Sequence, residues 1–172
     1  LASDGVDYNR FGSSVAISGN YAIVGAYYDN DPTNSGSAYI FERDTNGNWG
    51  TSVSGQTYRT ETKKLKASDA DTNDKFGFSV AISGNYAIVG TLIDHSDKYT
   101  GSAYIFERDA DGNWGTAVSG QSYRTETKKL KASDGDASHY FGHTIAISGN
   151  YAIVGAYGND DDGSLSGAVY VW

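Results

Sequence analysis

Apolar positions along this chain come in short bursts, and the bursts change character in a fixed order. Between Ser14 and Ser18 they alternate, with Val15 and Ile17 on one side, which predicts a half-buried strand. Gly19-Asn20 follows, a pair that tolerates positive φ and suits a two-residue hairpin turn. Tyr21 to Ala26 is an almost unbroken apolar run, as expected of a strand covered on both faces. After the polar stretch "YYDNDPTNSG", Ser37 to Arg43 sets Tyr39 and Phe41 opposite Ala38 and Ile40 on a third strand. A turn at Asp44 to Gly47 and then Trp49 lead to "YRTETKKLKA", read as a fourth, mostly polar strand from Tyr58 to Ala67. Two apolar strands, one amphipathic strand and one charged strand describe a sheet dry at one edge and wet at the other. On this reading Phe11, Val15, Ile17, Ile23 and Val24 form the dry part. Lys63, Lys64 and Lys66 guard an exposed outer edge against pairing with other chains.

The whole pattern then repeats. Phe11, Phe76 and Phe141 stand 65 residues apart, as do Gly25, Gly90 and Gly155. The repeats are bounded at 1–65, 66–130 and 131–172, the last without a fourth strand. Between Gly36 and Asp69 the first copy differs from the second at four positions, so even its solvent-facing loops have hardly drifted. A period of this length built from short strands means an array of supersecondary units. The fold class expected is all-β, with four-stranded antiparallel blades of a β-propeller. A solenoid is the competitor, but solenoid strands lack this sorting from dry edge to wet edge within each repeat. Propellers close with about four to eight blades, and Leu1 falls mid-pattern, so part of a longer chain or an oligomer is expected.

The residues that carry the repeat, "FGSSVAISGNYAIVGA" and its two echoes, resemble the FG-GAP repeat, the blade unit of integrin α-subunit propellers and of many bacterial and algal surface proteins. Two departures stand out. The copies read Gly25-Ala26-Tyr27, Gly90-Thr91-Leu92 and Gly155-Ala156-Tyr157, without the proline of the name. Integrin-type blades often hold a calcium loop between the first two strands. Here that connection is only "SGN", too few oxygens for a six- to eight-coordinate ion.

Composition narrows the function. The chain of 172 residues has a formal charge of -8, a poor match to nucleic acid or an anionic membrane. No apolar run reaches the length of a membrane span. Without cysteine there are no disulfides and no thiolate sites. No nucleophile motif or phosphate-cradling loop occurs, and a repeated set of exposed carboxylates lacks the asymmetry a catalytic pair needs, so enzyme function is not expected.

In an up-and-down blade the loop leading into the first strand and the loop joining the second and third lie on one face. That face collects carboxylates in each repeat: Asp4 and Asp7 with Asp29 and Asp31; Asp69 and Asp71 with Asp94 and Asp97; Asp134 and Asp136 with Asp160, Asp161 and Asp162. They are candidate ligands for a divalent cation, Ca²⁺ above all, with Asp160 to Asp162 the best local group. The competing reading is that they cap turns and keep the surface soluble. His95, His139 and His143 read as surface residues, the last two diverging because a strand and its lead-in loop do not align side chains four apart. Tyr27, Tyr28, Tyr99 and Tyr157 lie in or beside the acidic loops and are candidate ligand contacts, while Trp49 and Trp114 belong to the opposite face or the outer hairpin and should cover the third and fourth strands.

Two functions remain. One is an extracellular binding module, similar in role to the integrin head, that meets a protein or glycan through its loop face. The other is a structural unit tiled with neighbouring copies of the same repeat into a surface fibre, sheath or stalk. The loops between the second and third strands differ among copies while the segment from the third strand to the fourth hardly does, which favours binding.

Overall fold

The Phe-Gly and Gly-Ala elements of the repeat turn out to be where one blade meets the next. A Cβ on Gly25 would lie 2.1 Å from the carbonyl oxygen of Gly77 in the following repeat, and one on Gly90 would lie 2.1 Å from that of Gly142. Only glycine permits this approach. Ser14 Oγ and Ser79 Oγ donate to the same two carbonyls, at 2.8 and 2.6 Å.

The computed structural model describes residues 1–30, 33–95 and 100–172, and its regular elements there are all strands. The first blade contains β1 (Ser14–Ser18), β2 (Tyr21–Ala26), β3 (Ser37–Glu42), β4 (Thr51–Ser52), β5 (Arg59–Thr60) and β6 (Lys63–Leu65). The second contains β7 (Ser79–Ser83), β8 (Tyr86–Thr91), β9 (Ser102–Glu107), β10 (Thr116–Ala117), β11 (Tyr123–Thr125) and β12 (Lys128–Leu130). The third contains β13 (Phe141–Ser148), β14 (Tyr151–Ala156) and β15 (Ala168–Val171). Neighbours pair antiparallel in the orders β1-β2-β3-β6, β7-β8-β9-β12 and β13-β14-β15. Ser18 faces Tyr21, which leaves Gly19-Asn20 as the turn the sequence predicts. These sheets are propeller-type blades, as expected.

The fourth strand differs from expectation. It is not one strand over 58–67 but two short pieces, β5 and β6, separated by Glu61-Thr62. Nor is β6 an exposed edge. On its far side it takes β11 of the second blade in parallel, Tyr123 opposite Lys64 and Arg124 opposite Leu65. Lys64 and Lys66 are therefore buried. Lys66 lies over the Tyr123 ring at 5.2 Å, while Lys64 turns to the loop face.

Burial is sorted between blades as well as along them. One apolar cluster joins Ile23, Ala38 and Ile40 of the first blade to Val80, Ile82, Ala87 and Val89 of the second. Another joins Ile88, Ala103 and Leu130 of the second blade to Phe141, Ala152 and Val154 of the third. The expectation that Val15 and Ile17 are dry is met by their counterparts Val80 and Ile82, at 9% and 6% exposure. Val15 and Ile17 themselves are 67% and 68% exposed, because no blade lies against that side of β1. Phe11 and Val24, on the same blade, are half-buried. Trp114 reaches beyond its own blade. It is fully buried against the neighbouring blade, edge-on to Tyr21 at 5.4 Å, with its Nε1 donating to Glu42 at 2.9 Å.

Candidate functional site

Each of the first two blades brings its two acidic loops together, and each places a lysine between them. Asp4 comes from the lead-in loop and Asp29 from the β2–β3 loop. Lys64, projecting from β6, sits 2.7 Å from Asp29 and also pairs with Asp4. The Tyr39 hydroxyl lies 3.0 Å from both carboxylates, and the Lys64 ammonium lies 5.5 Å from that ring's centre. Asn9 Nδ2 donates to the other oxygen of Asp29 at 2.8 Å. The second blade repeats the arrangement: Lys129 is 2.5 Å from both Asp69 and Asp94, with the Tyr104 hydroxyl 3.1 and 3.4 Å from them. Asp29, Asp94 and the two tyrosines are buried. The position between the acids, where the sequence suggests a divalent cation, is held by an ammonium. The β1–β2 connection is a bare two-residue turn with no carboxylate, so a blade-internal calcium loop does not fit this chain.

The charges explain the titration behaviour. Burial works to raise the Asp4 pKa, but the hydrogen bond and charge of Lys64, with the Tyr39 hydroxyl, outweigh it and hold it below 3.8. Burial works to lower the Lys64 and Lys129 ammoniums, and their paired carboxylates outweigh it, leaving both above 10.5. Burial and the adjacent acids push Tyr39 and Tyr104 far above the ordinary phenol range. A carboxyl depressed on folding adds stability that is full above its unfolded pKa and is lost as pH falls through the folded one. An ammonium raised on folding adds stability that is full below its unfolded pKa and is lost as pH rises through the folded one. The clusters should hold their contribution from about pH 5 to about pH 10. Melting midpoints recorded across pH are expected to be flat in that window and to fall at both ends.

The third blade is built differently. Asn159 stands where Asp29 and Asp94 stand, and Tyr170 donates to Asp134 at 2.5 Å. His139, which the sequence suggested was a surface residue, is buried. Its Nε2 is 3.2 Å from Asp160 and its Nδ1 3.3 Å from Asn159 Nδ2. The second blade holds the same two positions with the partners exchanged: Asp74 carries the carboxylate and His95 the imidazole, 2.6 Å apart. Asp161 accepts from Asn159 at 2.9 Å, and His139, Asp160 and Asp161 form one group compact enough for a metal ion. Asp162 lies outside that group and is exposed. Asp71 and Asp136 accept from the next backbone N–H as turn residues, at 2.6 and 2.7 Å, and Asp7 is exposed. Asp31, Asp97 and Tyr99 lie outside the described residues.

The aromatic candidates assemble into something larger. Tyr28 packs on Tyr27 (centroids 5.0 Å apart), Tyr27 on Phe78 (5.5 Å), Phe78 on His143 (5.2 Å), His143 on Tyr157 (4.6 Å) and Tyr157 on Tyr140 (5.1 Å). Arg10 and Lys75 lie over the Tyr28 ring, 4.6 and 4.8 Å from its centre. This row of six rings crosses all three blades, with no ring fully buried and Tyr157 half exposed. Sequence reasoning singled out Tyr27, Tyr28 and Tyr157 but not Phe78 or His143. Those two occupy the position after Phe-Gly, held by Ser13 in the first copy, and that variability inside an otherwise fixed motif was the available signal.

Curated proteins give no match to this chain. A family model described as the FG-GAP repeat matches residues 1–41, 60–106 and 125–172, three matches along the chain. The matches take in all three Phe-Gly elements with the strands that follow them, and they leave out mainly the outer β4 and β10 hairpin segments. The chain belongs to the FG-GAP repeat family.

Proposed function

We propose that this chain is an extracellular binding module, of the kind that serves cell-surface adhesion, which recognises a protein or glycan through its loop face. The observation that carries this reading is the row of six rings with Arg10 and Lys75 at one end. Aromatic rings with one polar end are suited to stack on sugar rings or to anchor a protein contact, and arginine adds directional donors. The acid–lysine clusters beside it fix the loops, so little ordering is needed on binding. Its test is a panel of immobilised oligosaccharides and extracellular-matrix proteins. Saturable binding to at least one is expected, weakened about tenfold or more by Tyr157→Ala or Tyr27→Ala, a loss of about 1.4 kcal/mol. Binding to none, or binding indifferent to both substitutions, would rule the reading out.

A second reading, a repeat unit tiled with neighbouring copies, is favoured by one observation: between Gly36 and Asp69 the first repeat differs from the second at only four positions.

A further inference from the structure

Several cations of this chain are matched to acids: Lys64 and Lys129 to their aspartate pairs, Arg59 to Asp44 and Arg108 to Glu42. Arg10 and Lys75 are not. Among the described residues neither pairs with a carboxylate, although acids outnumber Lys and Arg by 21 to 13. Both converge instead on the Tyr28 ring, Arg10 from the lead-in loop of the first blade and Lys75 from that of the second. Arg10 Nη1 donates to the Tyr27 hydroxyl at 2.5 Å, and Lys75 Nζ donates to the Tyr28 hydroxyl at 3.3 Å. The rest of the guanidinium fork and of the ammonium is left to meet a ligand.

The backbone adds to this. Arg10 and Lys75 both sit in the left-handed region, at φ 55° and 63°. That conformation suits glycine better than a residue with a Cβ, so two long cationic side chains stand there against the backbone's own preference. Beside them Tyr27 packs on Phe78 of the second blade at 5.5 Å, and Tyr27, Tyr28 and Phe78 are all half-buried. Two cations and a short aromatic platform therefore share one junction between blades.

We propose that this junction binds the carboxylate of an acidic sugar, with the apolar face of the sugar ring on Tyr27 and Phe78. The inference names a ligand class for the loop-face recognition proposed above and rests on that reading. A guanidinium fork matches a planar carboxylate, the ammonium adds a point charge, and aromatic faces suit a sugar ring. The formal charge of -8 on the chain favours a ligand with isolated carboxylates over a dense polyanion such as nucleic acid. The carboxylate is supplied either by a uronate within a polysaccharide or by a terminal sialic acid.

The probes are tetragalacturonic acid against its methyl ester, which keeps the rings and removes the charge, and sialyllactose against lactose. Each is titrated into the full chain by calorimetry. Saturable binding of at least one acid is expected, at least tenfold tighter than its neutral counterpart, and which acid binds tells the two sources apart. Arg10→Gln with Lys75→Gln should remove the preference for the acid while leaving the melting midpoint within a few degrees, and Lys75→Arg should keep it. Equal binding of acid and neutral counterpart, a preference unchanged by the double substitution, or no saturation by either acid at millimolar concentration would overturn the inference. Binding of a matrix protein alone, weakened by Tyr27→Ala, would overturn it too while leaving the loop-face reading standing.

Discussion

Lys64→Asp is expected to lower the melting midpoint by about 6–20 °C, although from sequence alone Lys64 looks like a tolerant edge residue. The substitution removes the cation that pairs with Asp4 and Asp29 and adds a third carboxylate beside them, with Asp29 buried. Breaking a buried pair from one side costs about 3–5 kcal/mol, because the remaining charge is left desolvated. A chain of this size loses about 2–4 °C per kcal/mol. Lys63→Asp, on the same strand but paired opposite Ile40 and only half-buried, should cost far less. Pairing Lys64→Met with Asp29→Asn should recover part of the loss, since the third blade already uses Asn159 at that place. Thermal melts of the three variants followed by circular dichroism are the check, and equal midpoints for the Lys63→Asp and Lys64→Asp changes would refute the buried cluster.

Ile88→Asp is expected to abolish cooperative folding altogether. Ile88 is fully buried on the middle strand of the middle blade, in the cluster that joins Leu130 to Ala152 and Val154 of the third blade. Its burial is worth about 1.5–3 kcal/mol, and an unpaired carboxylate in the same place adds a desolvation cost of several kcal/mol more. Ile153→Asp, the same repeat position on the third blade, is 43% exposed and should be tolerated. A soluble Ile88→Asp protein with a sharp melting transition would contradict the interblade core.

The contrast between these positions shows what the sequence could convey. The repeat, the first three strands of each blade and the Gly19-Asn20 turn were legible, because hydrophobic alternation and turn chemistry are local signals. The fate of the fourth strand was not. A lysine run on a polar strand looks the same whether it faces water or a carboxylate pair, and Asp4 lies 60 residues from Lys64 in the chain. A usable signal did exist: two acids and one lysine recur at fixed repeat positions, as Asp4, Asp29 and Lys64 and again as Asp69, Asp94 and Lys129. The exposure of Val15 beside the burial of Val80 was invisible for another reason. Identical residues differ only in whether a neighbouring blade covers them, and no local pattern encodes that. His139 was misplaced because its burial depends on Asn159 and Asp160, which the fold brings to it from the β14–β15 loop.

An internal ammonium sits between the two carboxylates of the acidic pair in each of the first two blades. The most direct measurement is the melting midpoint of an Asp160→Asn/Asp161→Asn variant, which removes the compact His139 group, in millimolar CaCl₂ and in NaCl of equal ionic strength. A ligand bound only by the native state at a hundredfold excess over its Kd would add about 2.7 kcal/mol, several degrees for a chain of this size. With Lys64 and Lys129 in place, the two salts are expected to give the same midpoint within about a degree. A rise of several degrees specific to calcium, removed by Asp4→Asn or Asp69→Asn, would show that the lysines leave room for the ion and would contradict it.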